Sequence, residues 1–190
     1  MTLLRRRIAE RARVEHRDAG ARRAAVLVPI VSAPGGLELI CFERTHDVLE
    51  HKGEICLPGG SIEPSDRDVV EAALREAGEE LGIDAAGVDV LGLLDDVHTT
   101  VSNYIITPVA GFLAVPPRVV ADPLEVARPI VVPLAMLLSQ GVEAHERRGP
   151  DGAVRTIYAY RVGDDRIWGA TARIIHGLLA LWFGADEGTT

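Results

Sequence analysis

The stretch DRDVVEAALREAGEELGI, residues 66–83, decides the reading of this chain, because one segment carries both a core-facing helix and a row of acids. It has good helix formers, acids in its first turn and Gly82 as a C-cap. On a helical wheel of about 100° per residue with Glu76 at zero, Glu80 lies about 40° to one side and Glu79 about 60° to the other. Val70, Ala73, Leu74, Ala77 and Leu81 gather on a separate face, about 60–160° round. One face is core and its neighbour is a carboxylate cluster. Arg75 precedes Glu79 by four residues and can pair with it, which leaves Glu76 and Glu80 projecting together. Like charges at this spacing destabilise a helix, and a hard divalent cation such as Mg²⁺ or Mn²⁺, held by carboxylate oxygens, explains the clustering. On spacing alone, a solvated acidic face explains it as well.

The residues just upstream, LPGGSIEPSD (57–66), change the balance. Gly59 and Gly60 permit positive φ and close backbone approach, and Pro58 stiffens the entry. A Gly-Gly loop leading into an acidic helix presents backbone N–H groups beside a cation, so an acidic protein can grip a pyrophosphate there. Glu63 and Asp66 are expected to cap or brace the loop and helix.

Gly60, five residues, Asp66, eight residues, then REAGEELGI (75–83) resembles the signature of the Nudix hydrolases, with one extra residue and Asp where Glu is usual. The extra residue resembles the coenzyme A pyrophosphatase branch of that family. ERTHDVLEHKGEICLPGG (43–60) is similar to that branch's second signature: Arg44, His51, Gly53, Pro58, Gly59 and Gly60 match. The segments ITPVAGFL, VPLAMLL and IWGATA are similar to its later landmarks, so the likeness covers residues 24–183. Four positions depart. Leu49 stands where that branch has Arg, Thr45 replaces a small residue, Leu57 replaces Phe, and Ser61 stands where a basic residue is common. The catalytic box is whole, while the substrate signature has lost cations.

The resemblance implies an α/β Nudix-type α/β/α sandwich around a mixed β-sheet, and hydrolysis of the diphosphate bond of a nucleoside diphosphate linked to another moiety. Coenzyme A or its thioesters would give 3',5'-ADP and phosphopantetheine; ADP-ribose, dinucleotides and (d)NTPs are the alternative substrates. Glu76, Glu79 and Glu80 would hold the metal, and Arg75 would orient Glu79. The general base would come from Glu76, Glu79 or Glu125, and Arg44, His51, Gly59 and Gly60 would bind substrate. The rival of another class is a catalytically silent nucleotide-binding module. Such a module is expected to show damage in the Arg-Glu-x-x-Glu-Glu element, which is intact here.

The rest of the chain sets bounds. With 190 residues the chain suits one domain, read here as an Arg-rich helical extension (1–23) followed by a single domain (24–190). A net charge of −8 and only 4% aromatic residues speak against a nucleic-acid partner, and a highly anionic substrate would need local cations or bound metal; the resemblance implies a small-molecule nucleotide substrate. No apolar run is long enough to span a bilayer, and Cys41 and Cys56 read as reduced buried thiols, so the expectation is a cytoplasmic protein with no membrane partner. Strands are expected at 24–31, 37–44, 88–97, 103–114 and 155–162, with Pro108 marking an edge strand or bulge. Helices are expected at 132–140 and 165–184. His98 reads as a loop residue and His176 as a packed one. Trp168 and the run IIHGLLALW read as core or as a homodimer contact.

Overall fold

The computed structural model describes residues 1–45, 53–99, 102–149 and 152–184. In chain order the elements are α1 (Thr2–Glu10), β1 (Arg22–Ala33), β2 (Gly36–Arg44), β3 (Ile55–Cys56), β4 (Gly59–Ser61) and α2 (Val69–Leu81). Then come β5 (Asp89–Leu93), β6 (Val97–Thr99), β7 (Tyr104–Leu113), β8 (Val126–Pro133) and α3 (Leu134–Gln140). The chain ends with β9 (Glu143–Arg148), β10 (Val154–Val162), β11 (Asp165–Trp168) and α4 (Gly169–Phe183).

Eight strands form one mixed sheet with the central order β3-β2-β1-β7-β5, in which β4 joins β1, β6 joins β7 and β8 joins β2. Only β1 and β7 run parallel, in register from Arg22↔Tyr104 to Val31↔Leu113; the other ladders are antiparallel. Period-two alternation in β1 and β2 splits their apolar residues between two faces. Ala25, Leu27, Ile40 and Phe42 pack against Ala73, Ala77 and Leu81 of α2. Val26, Val28, Ile30, Leu39 and Cys41 pack on the other side with Leu137 of α3 and Ile175 and Leu178 of α4. Each fully buried Leu, Ile or Phe contributes about 1.5–3 kcal/mol, so the sheet is held from both faces: a helix–sheet–helix sandwich, as expected. Leu4 and Ile8 of α1 enter the second core too.

Several sequence expectations need correction. Pro108 lies in β7, which is interior to the sheet. Its carbonyl accepts the Leu94 N–H, so its backbone polar side faces the gap where β5 has ended and β6 has not begun. The missing donor therefore breaks no ladder bond, and the continuous strand expected over 88–97 is split at the same place. The final helix starts at Gly169, because residues 165–168 pair with β10 as β11. Trp168 is accordingly a half-exposed strand residue, not core. The N-terminal helix covers only Thr2–Glu10; residues 11–21 contain no helix, and β1 begins at Arg22. Strands β4, β8 and β9 had no place among the expected elements, and Gly59 and Gly60, read as a loop, pair with β1 in β4. Among the described residues, no helix is long and apolar enough to cross a membrane.

Candidate active site

The site is built by α2 and the loop that feeds it. Asp68 caps the helix, its carboxylate accepting the N–H groups of Val70 and Glu71 at 2.9 Å. Gly82 ends it in the left-handed region (φ 67°), with its N–H on Gly78 O and the Ile83 N–H on Ala77 O. Gly59 and Gly60 are required for different reasons. β4 pairs with β1 at Val26↔Gly59 and Ala25↔Gly60. A Cβ on Gly59 (φ 154°) would run into the Ala25 carbonyl and Val26, whereas a Cβ on Gly60 would occupy the space of the Glu76 carboxylate. The first glycine lets the strands meet; the second opens a cradle for an acid.

Arg75 organises the near side. Its Nε and Nη2 hold both oxygens of Asp66, at 3.0 and 3.1 Å. Its Nη1 reaches Glu76 Oε1 and Glu79 Oε2, each at 3.1 Å, and Nη2 also donates to Ser61 O at 3.2 Å. Asp66 first, then Glu76, raise the Arg75 pKa further, and Arg75 in turn, with the Glu63 N–H, holds the Asp66 carboxyl below the usual range. Asp66 is thus the brace and Asp68 the cap. The (i, i+4) pair Arg75–Glu79 forms as expected, and Arg75 also restrains Glu76.

Glu80 is the buried acid, only 2% exposed. Its Oε2 accepts the Gly59 N–H at 2.8 Å, and its Oε1 lies 3.4 Å from Arg44 Nη2. Burial outweighs that N–H and the Arg44 charge, and Glu76 and Glu125 push the same way, so its pKa rises to about 8. Glu76 is shifted upward as well, again by burial against Arg75, with Glu79 and Glu125 adding to it. Glu125 comes from the loop before β8, where Arg44 Nη1 stands 4.0 Å from its Oε2. That loop is clamped from two sides. The Asp122 N–H donates to Glu80 O and the Thr45 N–H to Glu125 O, both at 2.9 Å, and Thr45 Oγ1 donates to Leu124 O at 3.0 Å.

The fold therefore gathers Glu76, Glu80, Glu125, Arg44, Arg75, Gly59 and Gly60 around one spot. Glu79 stands apart, 61% exposed and held only on its Arg75 side. His51, with Leu49 and Lys52, lies outside the described residues. Ser61 turns its hydroxyl toward the Tyr104 hydroxyl, 3.5 Å away. His176 is packed, stacked on Tyr158 with its Nδ1 3.4 Å from the Tyr160 hydroxyl, and burial lowers its pKa. His98, expected in a loop, lies in β6 opposite Ile105, with its Nε2 3.1 Å from Asn103 Oδ1. Among the described residues no three acidic, His or Cys side chains form a ready-made cation cage. The donor set is nevertheless all hard oxygen. Glu76 and Glu80 are poorly solvated and mutually repelling, which fits a hard divalent cation as their missing neutraliser.

A family model described as the NUDIX domain matches residues 21–127, from β1 through α2 into β8. The chain belongs to the Nudix family. The Nudix hydrolase NudL of Photorhabdus laumondii is 36% identical over 157 residues, which span 83% of each chain. NudL of Pectobacterium atrosepticum is 36% identical over 163 residues, covering 83% of this chain and 81% of the relative. Neither name carries a substrate. Among solved structures, a MutT/nudix family protein from Enterococcus faecalis matches 90% of this chain and 64% of its own, with a TM-score of 0.57 at 14% identity. The Nudix hydrolase RenU of M. smegmatis matches 65% of this chain and 78% of its own, with a TM-score of 0.53 at 24% identity. At these identities they attest the Nudix fold alone. The chain is thus a Nudix hydrolase in sequence and fold.

Proposed function

We propose that this Nudix hydrolase cleaves the diphosphate bond of coenzyme A or its thioesters, releasing 3',5'-ADP and phosphopantetheine. The observation that carries the chemistry is the juxtaposition of Glu76, Glu80 and Glu125 beside Gly59 and Gly60 of β4, with Arg44 within reach of two of the acids. What supports the substrate is the run 43–60, which resembles the coenzyme A branch, together with the extra residue between Asp66 and Arg75.

Glu76 and Glu80 would hold Mg²⁺ or Mn²⁺, with Glu79 as an outer ligand. Such a cation, when bound, offsets diphosphate charge and makes water a better nucleophile. The chain's own groups do the rest. The Gly60 cradle fixes the Glu76 carboxylate against Arg75, and the Gly59 N–H fixes one oxygen of Glu80. Glu125, the more exposed acid, is free to take a proton from the attacking water and acts as general base. Arg44 and His51 bind the phosphates. The free thiols Cys41 and Cys56 suit a reducing compartment, the cytoplasm. Half-exposed Trp168 and Phe183 suit a homodimer contact.

The test is product analysis by ion-exchange chromatography. The protein and a Glu80→Gln control are incubated with Mg²⁺ or Mn²⁺ and coenzyme A, acetyl-coenzyme A, ADP-ribose, NADH or dNTPs. Phosphopantetheine from the wild type alone is the expected result. Cleavage of only another substrate refutes the coenzyme A assignment and keeps the chemistry, while inertness across the panel returns the silent binding module.

A further inference from the structure

Arg44 and Arg75 are engaged with the site's acids in different ways. Arg75 holds Asp66, Glu76, Glu79 and Ser61 O at 3.0–3.2 Å, so its donors are committed. Arg44 straddles two acids without gripping either: 3.4 Å to Glu80 and 4.0 Å to Glu125, against about 2.7–2.9 Å for a close charge-assisted pair. Its main chain is pinned. The Arg44 N–H donates to Glu54 O at 3.0 Å and Arg44 O accepts the Gly53 N–H at 3.2 Å, at a register shift that sets Arg44 opposite Val126, next to Glu125. The side chain, which also reaches Cys56 and lies 5.8 Å from the Phe42 ring centroid, holds neither acid closely. Glu80 is constrained in a complementary way. Its Oε2 accepts the Gly59 N–H, so Oε1, which faces Arg44, is the less committed oxygen. A guanidinium and a divalent cation drawn to the same carboxylate repel each other.

We propose that Arg44 is an exchangeable partner of the site: its guanidinium stands between Glu80 and Glu125 and turns to a substrate phosphate oxygen when a divalent cation takes Glu80. The inference rests on the reading of Glu76 and Glu80 as the cation's carboxylates. Arg44 then opposes the cation when no phosphate is present, and links cation to phosphate when both are. By thermodynamic reciprocity each of the two ligands tightens the other through this one side chain. A purely substrate-binding arginine predicts no effect on the cation alone, and a purely structural one predicts weaker cation binding once the site loosens.

The test uses the full chain, stripped with chelator and checked for folding by circular dichroism. Mn²⁺ binding is followed by electron paramagnetic resonance of the free ion in mildly alkaline buffer, where protons compete less for Glu80. The expected result is that Arg44→Gln binds Mn²⁺ about 5-fold or more tightly than wild type, a coupling of ordinary allosteric size. Arg44→Lys, which keeps the charge, stays close to wild type and serves if the glutamine variant is unstable. Calorimetry with AMP, a weakly chelating phosphate probe, should show Mn²⁺ tightening AMP binding to wild type more than to Arg44→Gln. Equal or weaker Mn²⁺ binding by Arg44→Gln, with binding still abolished in Glu80→Gln, overturns the exchange and leaves the cation site standing. Mn²⁺ binding that Glu80→Gln does not change, or none by the wild type, removes the cation reading and the exchange together.

Discussion

Glu80→Gln separates a strained charge from a stabilising one. Glu80 is almost fully covered, receives one backbone N–H and one long guanidinium contact, and faces Glu76 and Glu125. Its pKa rises from the ordinary 4.5 to about 8, burial being the leading cause. A carboxyl whose pKa is higher in the folded than in the unfolded chain holds its proton more tightly when folded. Its contribution is therefore complete below the unfolded value and is lost as pH rises towards the folded one. The window runs from 4.5 to about 8, with a slope of up to about 1.4 kcal/mol per pH unit. By neutral pH the accumulated loss is about 3 kcal/mol, an order-of-magnitude figure. Gln has the shape of the protonated acid and keeps an acceptor for the Gly59 N–H, but does not ionise. Urea unfolding in chelator, followed by the fluorescence of Trp168 and buried Trp182, should find the two proteins equal in acid. Glu80→Gln should be more stable by about 3 kcal/mol at neutral pH. Mg²⁺ should then restore the wild type and leave the variant unmoved. A variant as stable as wild type at every pH, or less stable at neutral pH, would show that Arg44 and the Gly59 N–H already satisfy the charge, and the reasoning fails.

Three further outcomes follow from the same geometry. Gly60→Ala pushes a methyl into the Glu76 carboxylate, so kcat should fall by about 100-fold with an unchanged circular dichroism spectrum; a kcat within a few-fold of wild type means that the cradle plays no part. Gly59→Ala meets main-chain atoms of Ala25 and Val26 instead, and its loss should appear as stability, about 1–3 kcal/mol in denaturant unfolding. Burial drives the Cys41 and Cys56 thiols up to about 12 and about 11, so neither should react with a thiol reagent near neutral pH until denaturant is added; a fast native reaction at either would show an exposed thiolate.

A helix within 66–83, which the structure bounds at Val69–Leu81, its acidic face beside an apolar one, its C-cap glycine and its Arg75–Glu79 pair were legible in the chain, because all depend on contacts within a few residues. Strands β1 and β2 were legible for the same reason, as β-rich apolar runs at 24–31 and 37–44. The edge assignment of Pro108 failed because strand order is non-local. Which side of β7 lacks a partner depends on where β5 ends and β6 begins, at Leu93 and Val97, 15 and 11 residues before Pro108. The final helix was read four residues too long because the pairing of β11 with β10 outranks helical propensity at 165–168.

By itself, then, the sequence determined which residues could be chemical: the Gly-Gly pair, the carboxylates of α2, and the spacing that marks the Nudix family. It left open which of those acids matter and what neutralises them. Only the tertiary structure decided that Glu80 goes under cover and Glu79 into solvent, through the close approach of β4 to β1 and of the 119–126 loop to the end of α2. Only it brought Arg44, 36 residues away in sequence, to the carboxylate that the Gly59 N–H leaves half occupied. Periodicity reports the face of a helix, whereas desolvation and charge balance depend on what the rest of the chain lays over that face.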